Sequence, residues 1–152
     1  MKYRSNEYNI LNYLLSRNTI SYEGVIDWAY SQYTNEGIDP FIEKITLATD
    51  LGEIYQLISD AYQVSGEPEE SFLIGEIVSK YHNDEITINE AIGRILYDLD
   101  ANLSKEDNQK MYLADDLFGW HDLPEKEAIK LVSEIFDRYR PIYESAVSKF
   151  KA

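Results

Sequence analysis

Four oxygen-bearing side chains alternate along residues 98–104, in the spacing that a calcium-binding loop requires. They occupy the first, third, fifth and seventh positions of such a loop and are Asp98, Asp100, Asn102 and Ser104. The sixth position, which needs glycine for a sharp turn, is Leu103, and the twelfth, which needs a bidentate glutamate, is Gln109. The sequence therefore favours a turn followed by a helix start, and we predict neither a bound metal nor a cofactor.

A second candidate for metal chemistry is the dipeptide His121-Asp122, with His82 upstream. This order resembles that of the all-helical metal phosphohydrolases of the HD type, in which imidazoles and carboxylates hold a metal that activates water. Such a site needs a further, distant aspartate. The only later one is Asp137, and the chain continues for just 30 residues beyond Asp122. A metal-dependent phosphohydrolase of the HD type remains the alternative prediction if the protein is an enzyme.

Other catalytic patterns are missing from the sequence. There is no glycine-rich phosphate loop, no HExxH helix and no nucleophile elbow, and the chain has no cysteine. Glu67 with Glu70 and Glu134 with Asp137 have the spacing of helical pyrophosphohydrolases, but so acidic a chain produces such spacings by chance. We therefore predict that the protein is not an enzyme.

A mixed acidic and aromatic cluster surrounds a predicted helix end near residue 120. It contains Tyr112, Asp115, Asp116, Trp120, His121 and Asp122, and the charges of Asp98 and Asp100 could extend its negative field. A tryptophan within a rim of carboxylates can anchor a protein partner. The alternative is that Trp120 closes the hydrophobic core over Gly119. We predict that seven of these residues, all but His121, bind a partner.

The net charge indicates what kind of partner that would be. The chain carries 28 acidic and 14 basic side chains, which gives −14 at pH 7. Such a surface repels nucleic acid and anionic lipid, because phosphate contacts need lysine and arginine, and it attracts basic proteins. Solubility alone is a competing explanation of the charge. The 13 tyrosines also suit interfaces, although most are expected at helix seams.

Capping residues and periodicity predict an all-α fold, a single-domain bundle of about seven to eight helices over residues 1–152. Predicted helix starts fall at Ser21, Asp39-Pro40, Thr87 with Glu90, and Ser104. The second helix is predicted to reach Gly37 and the fourth to end around Ser65-Gly66. Leu113 is assigned to the apolar stripe of the seventh helix, and Pro141 is expected to break or kink the eighth.

The predicted compartment is the cytoplasm. Without cysteine neither a disulfide framework nor a thiolate metal site exists, and a reducing environment is the natural one. Polar residues interrupt every apolar stretch of the first 15 residues, and no run approaches 18 apolar residues. We expect neither secretion nor a membrane span.

The pattern Ile-Ser/Thr-x-x-x-Ala/Val-Ile occurs at residues 20–26 and 86–92. The stretch from Ile86 to Tyr97, followed by the acidic pair Asp115-Asp116, resembles the helical immunity proteins of bacterial toxin systems, of the colicin or contact-dependent-inhibition type. The resemblance is one of general type and covers about a third of the chain. It implies binding to a cognate toxin domain, usually a basic nuclease, and its inhibition. A regulatory protein-binding module is the remaining alternative.

Overall fold

The structure is a computed structural model that describes residues 3–62 and 67–152. These residues form eight α-helices: α1 Ser5–Ser16, α2 Tyr22–Ser31, α3 Pro40–Thr46, α4 Leu51–Tyr62, α5 Glu70–His82, α6 Ile88–Gly93, α7 Lys105–Trp120 and α8 Pro124–Ser148. A π-helical turn, Arg94–Asp98, follows α6. The described ranges contain no β-strand. The predicted all-α fold of about seven to eight helices is therefore confirmed.

Local side-chain chemistry starts several of these helices as predicted. The Gly24 amide donates to Ser21 Oγ at 3.0 Å, and the Phe41 amide donates to Asp39 Oδ1 at 2.8 Å. Thr87 and Glu90 exchange two bonds, since each side chain accepts from the backbone amide of the other. These bonds satisfy amides that the first helical turn leaves without an intrahelical partner.

One predicted helix end is wrong, and one predicted helix break does not occur. Helix α2 ends at Ser31 and does not reach Gly37, because Thr34 and Gly37 pair their backbones in a turn of their own. Gly37 has φ 112°, a conformation that favours glycine. At Pro141, where a break or kink was predicted, the break does not occur, since α8 runs from Pro124 to Ser148; the kink stays a prediction. The predicted end of the fourth helix at Ser65-Gly66 lies outside the described residues.

Two features allow the helix to continue through Pro141: solvent on the exposed side of α8 and side-chain packing on its other side. The proline lies on the exposed side of α8, where water can bond the carbonyl that has lost its amide partner. On the other side, Phe72 of α5 packs against Tyr143, with ring centroids 5.2 Å apart. Tertiary contact here outweighs the local preference of proline.

The chain divides into two compact units, Met1–Pro68 with Ser145–Ala152, and Glu69–Glu144. In the first unit α1 contacts α4 and α2 contacts α3. Its core is strongly aromatic: Tyr8 stacks on Tyr62 with ring centroids 4.4 Å apart, and Trp28 meets Phe150 at 5.1 Å. The prediction that residues 1–152 form one domain stays a prediction.

The second unit, residues 69–144, has an aliphatic core supplied by α5, α6, the π-turn, α7 and α8. Its fully buried members include Ala91, Ile92, Met111, Ala114 and Val132. None of the helices in the described ranges has the length and apolar character needed to cross a bilayer.

Candidate protein-binding surface

The orientation of α7 is fixed by the residues that it buries. Asp107, Met111 and Ala114 recur at helical spacing and lie against the core of the second unit. Arg138 of α8 holds the same side of α7, because its Nη2 donates to the buried Asp107 Oδ1 at 2.7 Å. The opposite side of α7 must therefore face solvent.

That outer side presents large apolar and aromatic groups. Tyr112, Asp116 and Trp120 follow one another at intervals of four residues and form a single stripe. The exposed fractions are 43% for Tyr112, 56% for the neighbouring Leu113 and 71% for Trp120. Exposed apolar groups gathered beside charges mark an interaction site more often than scattered ones do.

A residue outside α7 completes the surface. The π-turn carries Tyr97, which is 58% exposed and whose ring meets that of Tyr112 edge to face at 6.4 Å. The Tyr97 hydroxyl donates to Asp115 Oδ2 at 2.5 Å. We call this set the α7 surface; it consists of Tyr97, Tyr112, Leu113, Asp115, Asp116 and Trp120.

Electrostatics at the α7 surface raise the pKa of Tyr97 to about 12. The main cause is the hydrogen bond to the Asp115 carboxylate, which would become a repulsive contact if the phenol lost its proton. Burial and the negative charges nearby act in the same direction. Tyr97 therefore remains a neutral donor at physiological pH and holds the Asp115 carboxylate in a defined position.

The acidic field is strongest on the unit that carries this surface. Residues 69–144 contain 18 of the 28 acidic side chains but only 8 of the 14 lysines and arginines. Helix α7 has no basic residue in its last turn, although the carbonyls there favour positive charge. Asp115 and Asp116 thus add negative charge near the end of a helix, where it does not stabilise the helix.

The structure brings together four of the seven residues predicted from the sequence. Tyr112, Asp115, Asp116 and Trp120 share the α7 surface. Asp98 ends the π-turn, and Asp100 follows in a left-handed conformation with φ 50°. Asp122 lies in the connection to α8, and all three of these aspartates are exposed. Within the described residues no hydrogen bond or ion pair joins them to the α7 surface.

Two assignments from the sequence are corrected here. Trp120 does not close the core, since most of its side chain is exposed, and Leu113 points outward although it was assigned to the apolar stripe. The stripe instead follows Asp107, Met111 and Ala114, because the Arg138 contact makes burial of a carboxylate acceptable. The partner-binding role of the seven residues stays a prediction.

Sequence reasoning missed Tyr97. A signal was available, because Ile92, Ile95 and Leu96 form the apolar stripe of that segment and leave Tyr97 on its solvent side. Its pairing with Asp115, which is 18 residues away in the chain, could not be read from spacing.

The candidate metal ligands do not assemble among residues 3–62 and 67–152, where no three histidine, aspartate or glutamate side chains come close enough to hold an ion. His82 Nδ1 lies 3.1 Å from Arg140 Nη1. The positively charged guanidinium therefore stands beside this ring nitrogen, where a metal ion would have to bind. His121 Nδ1 accepts from the Leu123 amide at 3.0 Å within its own turn.

Comparison of the chain with protein-family models, with curated proteins and with solved structures finds no match.

Proposed function

We propose that this protein binds a basic protein domain through the α7 surface and neutralises it, as an immunity protein does with its cognate toxin. The observation that carries the proposal is the exposed stripe of Tyr112, Asp116 and Trp120 on the more acidic of the two units. Tryptophan and tyrosine dominate the energetic centres of protein interfaces, and burying most of Trp120 in a partner would contribute about 2–3 kcal/mol.

A nuclease is the class of partner that this chemistry fits best. A nuclease needs a positive groove to hold phosphates, and a carboxylate-rich inhibitor is attracted to the same groove. Long-range attraction speeds association, while the aromatic contacts slow dissociation. The resemblance to helical toxin-immunity proteins supports the same function, and the protein then has no catalytic role of its own.

The first experiment is a neutralisation assay in bacteria. The product of the gene next to this one in its native operon is expressed with and without the protein, and growth is followed. We expect that product to be toxic alone, to be basic, and to be harmless when the protein is present. If it is toxic and the protein gives no protection, or if it forms no complex with the purified protein, the neutralisation proposal is wrong.

Stopped-flow association with the purified partner tests the α7 surface itself. Asp115→Asn with Asp116→Asn removes two charges and should lower the association rate constant by about threefold to tenfold at low salt. The charge-matched control is Asp27→Asn with Glu36→Gln, two exposed positions of the other unit, and it should change the rate less.

Dissociation tests the aromatic anchor. Trp120→Ala should raise the dissociation rate constant at least about tenfold, whereas Tyr30→Ala, which removes a 55% exposed aromatic of the other unit, should leave it unchanged. Unaltered kinetics in both the aspartate and the tryptophan variants would exclude this surface as the contact.

A further inference from the structure

A concave feature lies in the unit of residues 69–144, away from the α7 surface. It is a cleft of about 580 Å³ between the α5–α6 connection, the start of α6, the inner side of α7 and the first turns of α8. Its floor is apolar and includes Ile86, Ile88, Phe118 and Ile129, of which Ile129 is 41% exposed. This volume is within the range that proteins use to bind ligands. We call this feature the apolar cleft.

The rim of the apolar cleft is acidic. Asp84, Glu85 and Glu125 line it, are exposed, and make no ion pair with any residue that the structure describes. Glu90 lines it as well but is engaged, since it accepts from the Thr87 amide and lies 3.8 Å from Arg94. None of the described lining residues is a lysine or an arginine. Asp84, Glu85 and Glu125 therefore face solvent over an apolar floor, and no cation among the described lining residues balances them.

The floor continues into a smaller pocket of about 80 Å³ that adjoins the cleft. The two spaces share Tyr81, Ile88 and Ile129. The smaller one is lined further by the apolar Val78, Val132 and Phe136 and by the polar His82, Ser133, Asp137 and Arg140. A cavity of this size exceeds the space of one water molecule several times over and suits an apolar side chain. The cation at its edge, Arg140, lies 3.7 Å from both Asp137 and Glu144 and is thereby balanced.

We propose that the apolar cleft binds a basic peptide segment of another protein, in which one large apolar side chain is flanked by lysines or arginines. The apolar side chain enters the smaller adjoining pocket, and the flanking cations meet Asp84, Glu85 and Glu125. Charge decides between occupants: an acidic segment would be repelled by the rim, and so would a second copy of a chain with net charge −14.

This site goes beyond the proposed function and stands apart from it. The apolar cleft and the α7 surface share no residue, because Phe118 lies on the side of α7 that faces the core and Tyr112 lies on the other. Whether the α7 surface binds a toxin does not affect the chemistry of the cleft.

The test uses a defined probe, the capped peptide acetyl-Lys-Lys-Leu-Phe-Lys-Lys-amide, and the full-length protein with labelled isoleucine methyl groups. Binding is followed by NMR at about 20 mM salt, where exposed charges interact most strongly. We expect saturable shifts at Ile86, Ile88 and Ile129. Ile45 and Ile54, which are buried in the other unit, should not move. A peptide with serine and glycine in place of leucine and phenylalanine keeps the charge and should bind at least about tenfold more weakly.

Variants assign the binding to the cleft. Glu85→Gln with Glu125→Gln should raise the dissociation constant about fivefold, while Asp115→Asn with Asp116→Asn, the same charge change on the α7 surface, should leave it within about twofold. Ile129→Ala removes apolar surface from the floor of the cleft and should also raise the dissociation constant of the peptide about fivefold. Circular dichroism verifies that each variant is folded, and the two exposed glutamates provide a variant that does not touch the core.

Three results would overturn the proposal. Equal binding of the two cationic peptides would show attraction by charge alone. Equal weakening by the two double variants would show that the whole acidic surface and not the cleft is responsible. Absence of shifts at the three cleft isoleucines would show that the cleft takes no such segment. None of these results depends on the toxin or on the neutralisation assay.

Discussion

The hydrogen bond between Tyr97 and Asp115 shows how an exposed tyrosine and a half-buried aspartate can be held in place. The tyrosine stands on the π-turn, the aspartate on α7, and the bond of 2.5 Å joins them at the surface. A carboxylate that is already oriented loses less side-chain entropy on binding, so the contact prepares Asp115 for a cationic partner.

The raised pKa of Tyr97 gives a direct test of this pair. Its ordinary value of 10.0 moves to about 12, mainly through the bond to Asp115. Because the pKa of Tyr97 is higher in the folded than in the unfolded state, its protonated hydroxyl stabilises the folded state. This stabilisation is fully present below about pH 10 and is lost as the pH rises through about 12. Carbon-13 NMR of the tyrosine ring should show Tyr97 titrating near the upper value and, in Asp115→Asn, near the ordinary one.

Tyr97→Phe assigns the resonance, because the signal in question disappears from its spectrum. Tyr30→Phe removes a different exposed ring and should leave the Tyr97 titration unchanged. If Tyr97 titrates near pH 10 in the unmodified protein, the hydrogen bond does not persist in solution.

Among the elements, α5 and α8 are in close contact at Gly75. A Cβ atom placed there would lie 2.5 Å from the Tyr139 carbonyl oxygen and 2.9 Å from Tyr143 Cβ, distances at which the helices must move. Gly93 offers a matched comparison. It is also helical, with φ −62° and ψ −41°, and has no neighbouring atom within 4 Å of such a Cβ.

The two glycines should therefore respond oppositely to alanine. Gly75→Ala should lower the free energy of unfolding by about 2–3 kcal/mol, because the added methyl group overpacks a helix contact. Gly93→Ala should raise it by about 0.5–1 kcal/mol, since alanine is the better helix former. Urea denaturation followed by circular dichroism measures both. A harmless Gly75→Ala would mean that α5 and α8 are farther apart than the structure places them.

For the whole molecule, the excess of negative charge opposes compactness and favours association with a basic partner. Repulsion among carboxylates is largest in the unit of residues 69–144, which holds most of them. Net charge of this size destabilises the folded state through self-repulsion while it raises the rate of encounter with an opposite charge. Stability and binding should therefore depend on salt in opposite directions.

Raising sodium chloride from about 20 mM to about 200 mM should raise the melting temperature and lower the association rate constant with a basic partner. Differential scanning fluorimetry and stopped flow follow the two quantities in the same buffers. Near pH 4.4, the isoelectric point, net repulsion vanishes and the effect of salt on the melting temperature should largely disappear. A melting temperature that falls with salt at pH 7 would contradict this picture.

Helix starts and fold class were determined by the sequence itself, because capping is a local interaction. Ser21, Asp39 and Thr87 reach amides only two or three residues away, so a short stretch of chain suffices to predict them. The spacing of Tyr112, Asp116 and Trp120 likewise determined that these side chains share one stripe of a helix. Charge and composition, which need no coordinates, indicated the class of partner to propose.

Only the tertiary structure decided which side of each helix is buried, where α2 ends, and that α8 does not break at Pro141. Arg138 makes burial of Asp107 acceptable and thereby turns Leu113 and Trp120 outward, a choice that hydrophobicity alone would have made differently. The contact of Tyr143 with Phe72 carries α8 past Pro141, and the pairing of Thr34 with Gly37 ends α2 early. Each of these outcomes depends on residues distant in the chain or on competing hydrogen bonds. The apolar pattern of one helix carries no information about either.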